Sequence, residues 1–156
     1  MTEDKKLSKH FSLYDLAYTS APNLLSSNIA EAAKRLPELS GICNNILEPI
    51  YSRFNRKLII YQGFCTPEVA QYAGDYYDKS HQAGRAVHFC VKDIPGIQVY
   101  NWIIDESEIY FGTLTLEMRP FIEWLHISLM DPNSEKNGQA NIREYKLERG
   151  PNGNRK

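Results

Sequence analysis

Across residues 28–54 apolar side chains recur every three or four positions: Ile29, Ala32, Ala33 and Leu36, then Ile42, Ile46, Leu47, Ile50 and Phe54. That period is a helix with one buried face, and Pro37, which cannot donate inside a helix, splits it into two pieces. The pattern then changes. Lys57-Leu58-Ile59-Ile60-Tyr61 is a β-branched run closed by Gly63, and Ala86–Val91, Leu114–Met118 and Phe121–Leu129 read as further strands, with a late one over Ile142–Leu147. Shorter helices are predicted after Ser12-Leu13-Tyr14-Asp15, a capping box, after Thr66-Pro67-Glu68, and over Ile97–Ile104. Helices first and a mostly antiparallel sheet afterwards predict an α+β fold.

The 156 residues suit one domain, taken as residues 1–148 with a polar tail over 149–156. Hydrophobic residues at 42% and charged residues at 24% are those of a globular chain that can bury a core unaided. Eighteen basic against nineteen acidic side chains give a net charge of −1, which argues against broad nucleic-acid binding. No apolar run reaches membrane-spanning length, and the polar start shows no secretory signal, so the expectation is synthesis in the cytoplasm. The three cysteines, Cys43, Cys65 and Cys90, lack CxxC spacing and read as buried thiols.

Chemistry concentrates on histidine. His81 sits in a loop before Gly84, His88 follows seven residues later on a strand, and His126 lies on a late strand next to Glu123. Three imidazoles and a carboxylate are the minimum for a catalytic zinc: three ligands, an open position and a base. Unrelated histidines are the commoner outcome of such spacing. His10, before the first helix, reads as structural. Tyr72, Tyr76 and Tyr77 precede the histidine loop and read either as helix packing or as a stacking wall for a glycan or peptide.

The order of these pieces resembles a known family. Ser80-His81-x-x-Gly84-x-Ala86-x-His88 is similar to the SxHxxGxAxD zinc motif of the D-alanyl-D-alanine carboxypeptidases and L-alanyl-D-glutamate endopeptidases, which share the hedgehog/DD-peptidase fold. Glu123-Trp124-Leu125-His126 resembles their ExxH element. Leu7-Ser8-Lys9-His10-Phe11-Ser12-Leu13, Leu47-Glu48-Pro49 and Tyr61-Gln62-Gly63-Phe64-Cys65-Thr66-Pro67 resemble further segments of phage-borne members. The resemblance runs from about residue 7 to residue 129. It implies a zinc metallopeptidase acting on peptidoglycan stem peptides, with His81, His88 and His126 as zinc ligands and Glu123 as catalytic base. Two departures stand out. His88 occupies the position of a ligand aspartate, and Cys65 that of an arginine expected to hold a substrate carboxylate, a role open to Arg85 or Arg119.

The spacing of Glu123 and His126 places them on opposite faces of a regular strand, so the resemblance also implies a bulge near Glu123. Cys90 shares the His88 face as a stray ligand or a buried thiol. The departures leave two alternatives to the enzyme: a catalytically silent virion or assembly protein, and a zinc-supported peptide-binding module. The tail over 150–156 and the polar 131–141 loop, too poor in apolar residues to order themselves, are expected to contact another chain. Partners are thus cell-wall peptide or virion chains, not nucleic acid or membrane.

Overall fold

A computed structural model describes residues 4–74 and 79–145. The expected fold class holds: a helix-rich N-terminal half precedes a five-stranded mixed sheet. Helix α1 (Leu13–Ala17) starts at the anticipated capping box, with Asp15 N–H donating to Ser12 Oγ and Ser12 N–H to the Asp15 carboxylate. Helix α2 (Leu25–Ala32) runs through a 3-10 turn, Ala33–Arg35, into α3 (Leu36–Ile42), whose first turn contains Pro37. A π-helical turn, Cys43–Leu47, then leads into α4 (Glu48–Phe54) with Pro49 in its first turn. Proline there lacks the N–H a regular helix would use, and the wider turn accommodates the lost bond.

The remaining elements are β1 (Leu58–Gln62), α5 (Pro67–Tyr72), α6 (Lys79–Gln82), β2 (Ala86–Val91), α7 (Gly96–Asp105), β3 (Thr113–Met118), β4 (Glu123–Ser128) and β5 (Gln139–Glu144). The sheet order is β1-β2-β4-β3-β5. Every pairing is antiparallel except β3–β5, which is parallel. The late strand therefore begins earlier than its sequence suggests. It is held by register with β3 rather than by burial, since all six of its residues are exposed.

One face of the sheet is apolar. Val87, Phe89, Leu114, Leu116, Leu125 and Ile127 are fully buried there, in one cluster with Leu39, Ile42, Ile46 and Ile50 of the helical half and with Val99 and Ile103 of α7. The helical stripe read from the sequence is thus the surface that covers this face. The other face is polar. Residues directly opposite each other share a face, so Gln62 opposite His88, His88 opposite His126, His126 opposite Thr115, and Thr115 opposite Asn141 form one row across all five strands.

The 131–141 segment departs from expectation, because it is ordered by its own domain. The Asn137 side chain bonds Asp131 through both N–H and C=O, and Ser134 C=O as well, while Gly138 N–H donates to Phe111 C=O to launch β5. Backbone pairing supplies here what apolar burial does not. The 149–156 tail lies outside the described residues, as do Tyr76 and Tyr77. Among the described residues no helix is long and apolar enough to cross a membrane.

Candidate metal centre

His81 reaches the polar face from α6. Gly84, at φ 72°, turns the chain straight back into β2, and Arg85 N–H closes that turn on Ser80 C=O at 2.8 Å. The His81 backbone carbonyl accepts from Gly84 and Cys65 N–H groups. Its ring Nδ1 lies 2.9 Å from Gly63 C=O. A carbonyl only accepts, so Nδ1 carries the proton and Nε2 keeps its lone pair, the tautomer a metal needs.

His88 and His126 come from neighbouring strands and stand directly opposite each other, with His88 Nε2 3.0 Å from His126 Nδ1. The three rings pack edge to face, with centroids 4.5 Å (His81–His88), 5.4 Å (His81–His126) and 5.0 Å (His88–His126) apart. One nitrogen from each ring lies within 4.8 Å of the others. Tetrahedral zinc at its usual bond length sets ligand nitrogens roughly 3.3 Å apart, so the trio closes on an ion by side-chain adjustment of about 1 Å. Burial, reinforced by the neighbouring His81 and His126, pushes His88 down to about 2. It therefore presents a neutral donor at any ordinary pH, and the donor set fits zinc.

Glu123 is not brought to this cluster. Strand β4 pairs with β3 in unbroken register from Glu123 to Ile127, and the expected bulge is absent. Glu123 therefore shares the apolar face with Leu125 and Ile127. Its Oε1 accepts from Gly96 N–H at 2.6 Å, at the start of α7. The irregularity in the sheet lies instead in β1, between Ile60 and Gln62, and it sets Gln62 opposite His88.

The carboxylate on the histidine side is Glu117. It lies on β3 two residues beyond Thr115, the partner of His126, and so shares the polar face. A cleft of about 370 Å³ opens over this face, and His88, His126, Thr115, Glu117, Arg119 and Arg143 line it. The Glu117 side chain is 7% exposed; Oε1 accepts from Arg143 at 3.3 Å, and Oε2 is buried with no hydrogen-bond partner among the described residues. The alternation Thr113-Leu114-Thr115-Leu116-Glu117 carried the signal, with every polar residue on one parity.

The arginine question divides cleanly. Arg85 donates to Met130 C=O, whereas the Arg119 guanidinium lies in the cleft, 3.6 Å from the Tyr145 ring centre and 5.6 Å from that of Trp124. Cys65 is fully buried in a small cluster with Val69 and Ala70. Cys90 faces the Tyr61 hydroxyl at 3.3 Å and, among the described residues, belongs to no group that could hold a metal. His10 is structural: its Nδ1 meets Glu48 Oε2 at 2.7 Å and its ring stacks on Tyr51 at 4.0 Å. Burial alone would raise the Glu48 pKa, but hydrogen bonds from His10 and Ser8 outweigh it and hold the carboxyl below its usual range. Two segments of the sequence resemblance, Leu7–Leu13 and Leu47-Glu48-Pro49, are thereby tied together. Comparison with protein-family models, curated proteins and solved structures returns no match.

Proposed function

We propose that this chain is a zinc-dependent peptidase of the hedgehog/DD-peptidase type, acting on peptidoglycan stem peptides, with Glu117 rather than Glu123 as its base. The observation that carries the reading is the convergence of His81, His88 and His126, the last two lining a polar cleft that also contains a buried carboxylate. Bound there, zinc would polarise a substrate carbonyl and make water a nucleophile near neutral pH. Glu117 Oε2 is suited to take the proton of the attacking water and return it to the leaving amine. Arg143 donates to Glu117 Oε1 and holds the carboxylate in place. Arg119, braced on Tyr145, offers the charge that a substrate carboxylate requires. The polar rows of Thr113, Thr115 and Asn141 give an extended peptide backbone its donors and acceptors.

The silent virion-protein reading draws support from the same two sequence departures, at His88 and Cys65. It offers no account of a histidine trio with an oriented tautomer beside a buried carboxylate. Metal analysis of untagged protein, with cleavage of purified peptidoglycan followed by mass spectrometry, separates the readings. About one zinc per chain is expected, with turnover lost by about 10²–10⁴-fold in Glu117→Gln and largely kept in Glu123→Gln. Bound zinc without cleavage would leave a peptide-binding module, and neither zinc nor cleavage would leave the silent protein.

A further inference from the structure

We propose that the free edge of β1 is a docking site for an extended, acidic segment of a partner protein, added to the sheet as a sixth strand. Lys92 N–H donates to Lys57 C=O at 2.8 Å, so residues 57 and 92 form a hydrogen-bonded pair. In an antiparallel ladder the bonding pairs alternate, which directs the backbone groups of Ile59 toward β2 and those of Leu58 and Ile60 away from it. Among the described residues no other strand pairs with that outer side. It opens onto a groove of about 450 Å³, separate from the metal cleft, between β1, α1 and the end of α4. Tyr14, Tyr18 and Tyr51 line the groove, the first two 44% and 46% exposed.

Edges like this are ordinarily covered or blunted, because they template pairing with another chain. An incoming strand would satisfy the Leu58 and Ile60 backbone groups and set alternate side chains against the tyrosines. Charge selects the partner. Arg56 and Lys57 are exposed at the start of the edge and outnumber Asp15, the one acid among the described residues lining the groove. The net charge of the lining is positive, so the segment should carry aspartate or glutamate there.

The test uses the full chain and a fluorescein-labelled decapeptide of alternating valine and glutamate, read by fluorescence anisotropy. Saturable binding is expected, weakened at least about tenfold by N-methylation of alternate peptide residues or by lysine in place of glutamate. The Ile60→Pro substitution removes an outward-facing N–H without breaking a bond of the β1–β2 ladder, at the cost of some core packing, and should weaken binding as much. The exposed pair Arg56→Glu and Lys57→Glu should do the same with an unchanged thermal midpoint. No binding, equal binding of the methylated peptide, or indifference to both variants would overturn the proposal. So would a dimer in sedimentation that Ile60→Pro dissolves, since that assigns the edge to a second copy.

Discussion

Acid should unfold the metal-free protein earlier than its carboxylates alone would dictate, and His88 should be the reason. Burial and two neighbouring imidazoles depress its pKa from the ordinary 6.5 to about 2. The unfolded chain therefore binds this proton below pH 6.5 while the folded chain refuses it. The associated stability is complete above 6.5 and is lost progressively as pH falls toward 2. Each pH unit in that window is worth about 1.4 kcal/mol, so about 3 kcal/mol disappears between pH 6.5 and about pH 4.5. That is a large share of the roughly 5–15 kcal/mol that holds a domain together. Urea titrations in excess chelator at about pH 7.5 and about pH 4.5, on the natural chain and on His88→Gln, isolate the contribution. The glutamine variant should start less stable and lose about 3 kcal/mol less over the interval. Parallel losses in the two proteins would refute the reasoning, because some other group would then be carrying the proton linkage. Saturating zinc should stabilise the natural chain at the upper pH and have little effect on the variant.

Two substitutions test how the site is held. In Gly63→Ala the new Cβ would lie 2.3 Å from the Leu16 carbonyl oxygen, a backbone atom, so the turn after β1 must shift. With it moves the carbonyl that orients His81, and calorimetry should show zinc affinity falling about 10–100-fold. Asn28 is fully buried, donates to the Ala17 and Phe64 carbonyls and accepts from Thr66 N–H. Asn28→Ala strands the Ala17 carbonyl and the Thr66 N–H, while the Phe64 carbonyl keeps Gln62 Nε2 as donor, and should cost about 2–3 kcal/mol in urea unfolding, with helix content retained.

The capped helices were legible because their signals are local, whereas α6, which carries His81, read as a loop. A hydroxyl with an acid three residues on, or a proline after threonine, acts on the adjacent backbone whatever the rest of the chain does, and both starts appear where Ser12 and Thr66 stand. The histidines were legible as a set, but only their resemblance to a family motif said that they should meet. Glu123 stands away from the histidines for a definite reason. Glu123 matches the motif spacing, yet three residues along a regular strand reverse the face, and only a bulge could have rescued it. Applied strictly, the same alternation favours Thr113, Thr115 and Glu117, which point with His126. Strand β5 was expected three residues too late, over Ile142–Leu147 instead of Gln139–Glu144, because a strand exposed on both faces has no hydrophobic pattern to set its limits or its register.

The site also shows how far a histidine cluster depends on residues that never touch it. His88 and His126 face each other only because Val87 stands opposite Ile127 and Phe89 opposite Leu125 on the far side of the same two strands. All four of those side chains are fully buried against the helices. A slip of one residue between β2 and β4 would drive His126 into the core and Leu125 and Ile127 out into the cleft. Burying four large apolar side chains is worth several kcal/mol, far more than the one hydrogen bond between the imidazoles. The packed face therefore sets the register, and the register sets the histidine pair. His81 alone arrives by another route, through the Gly84 turn and the Gly63 carbonyl. Of the three histidines it is the one whose position a loop mutation can alter without disturbing the sheet.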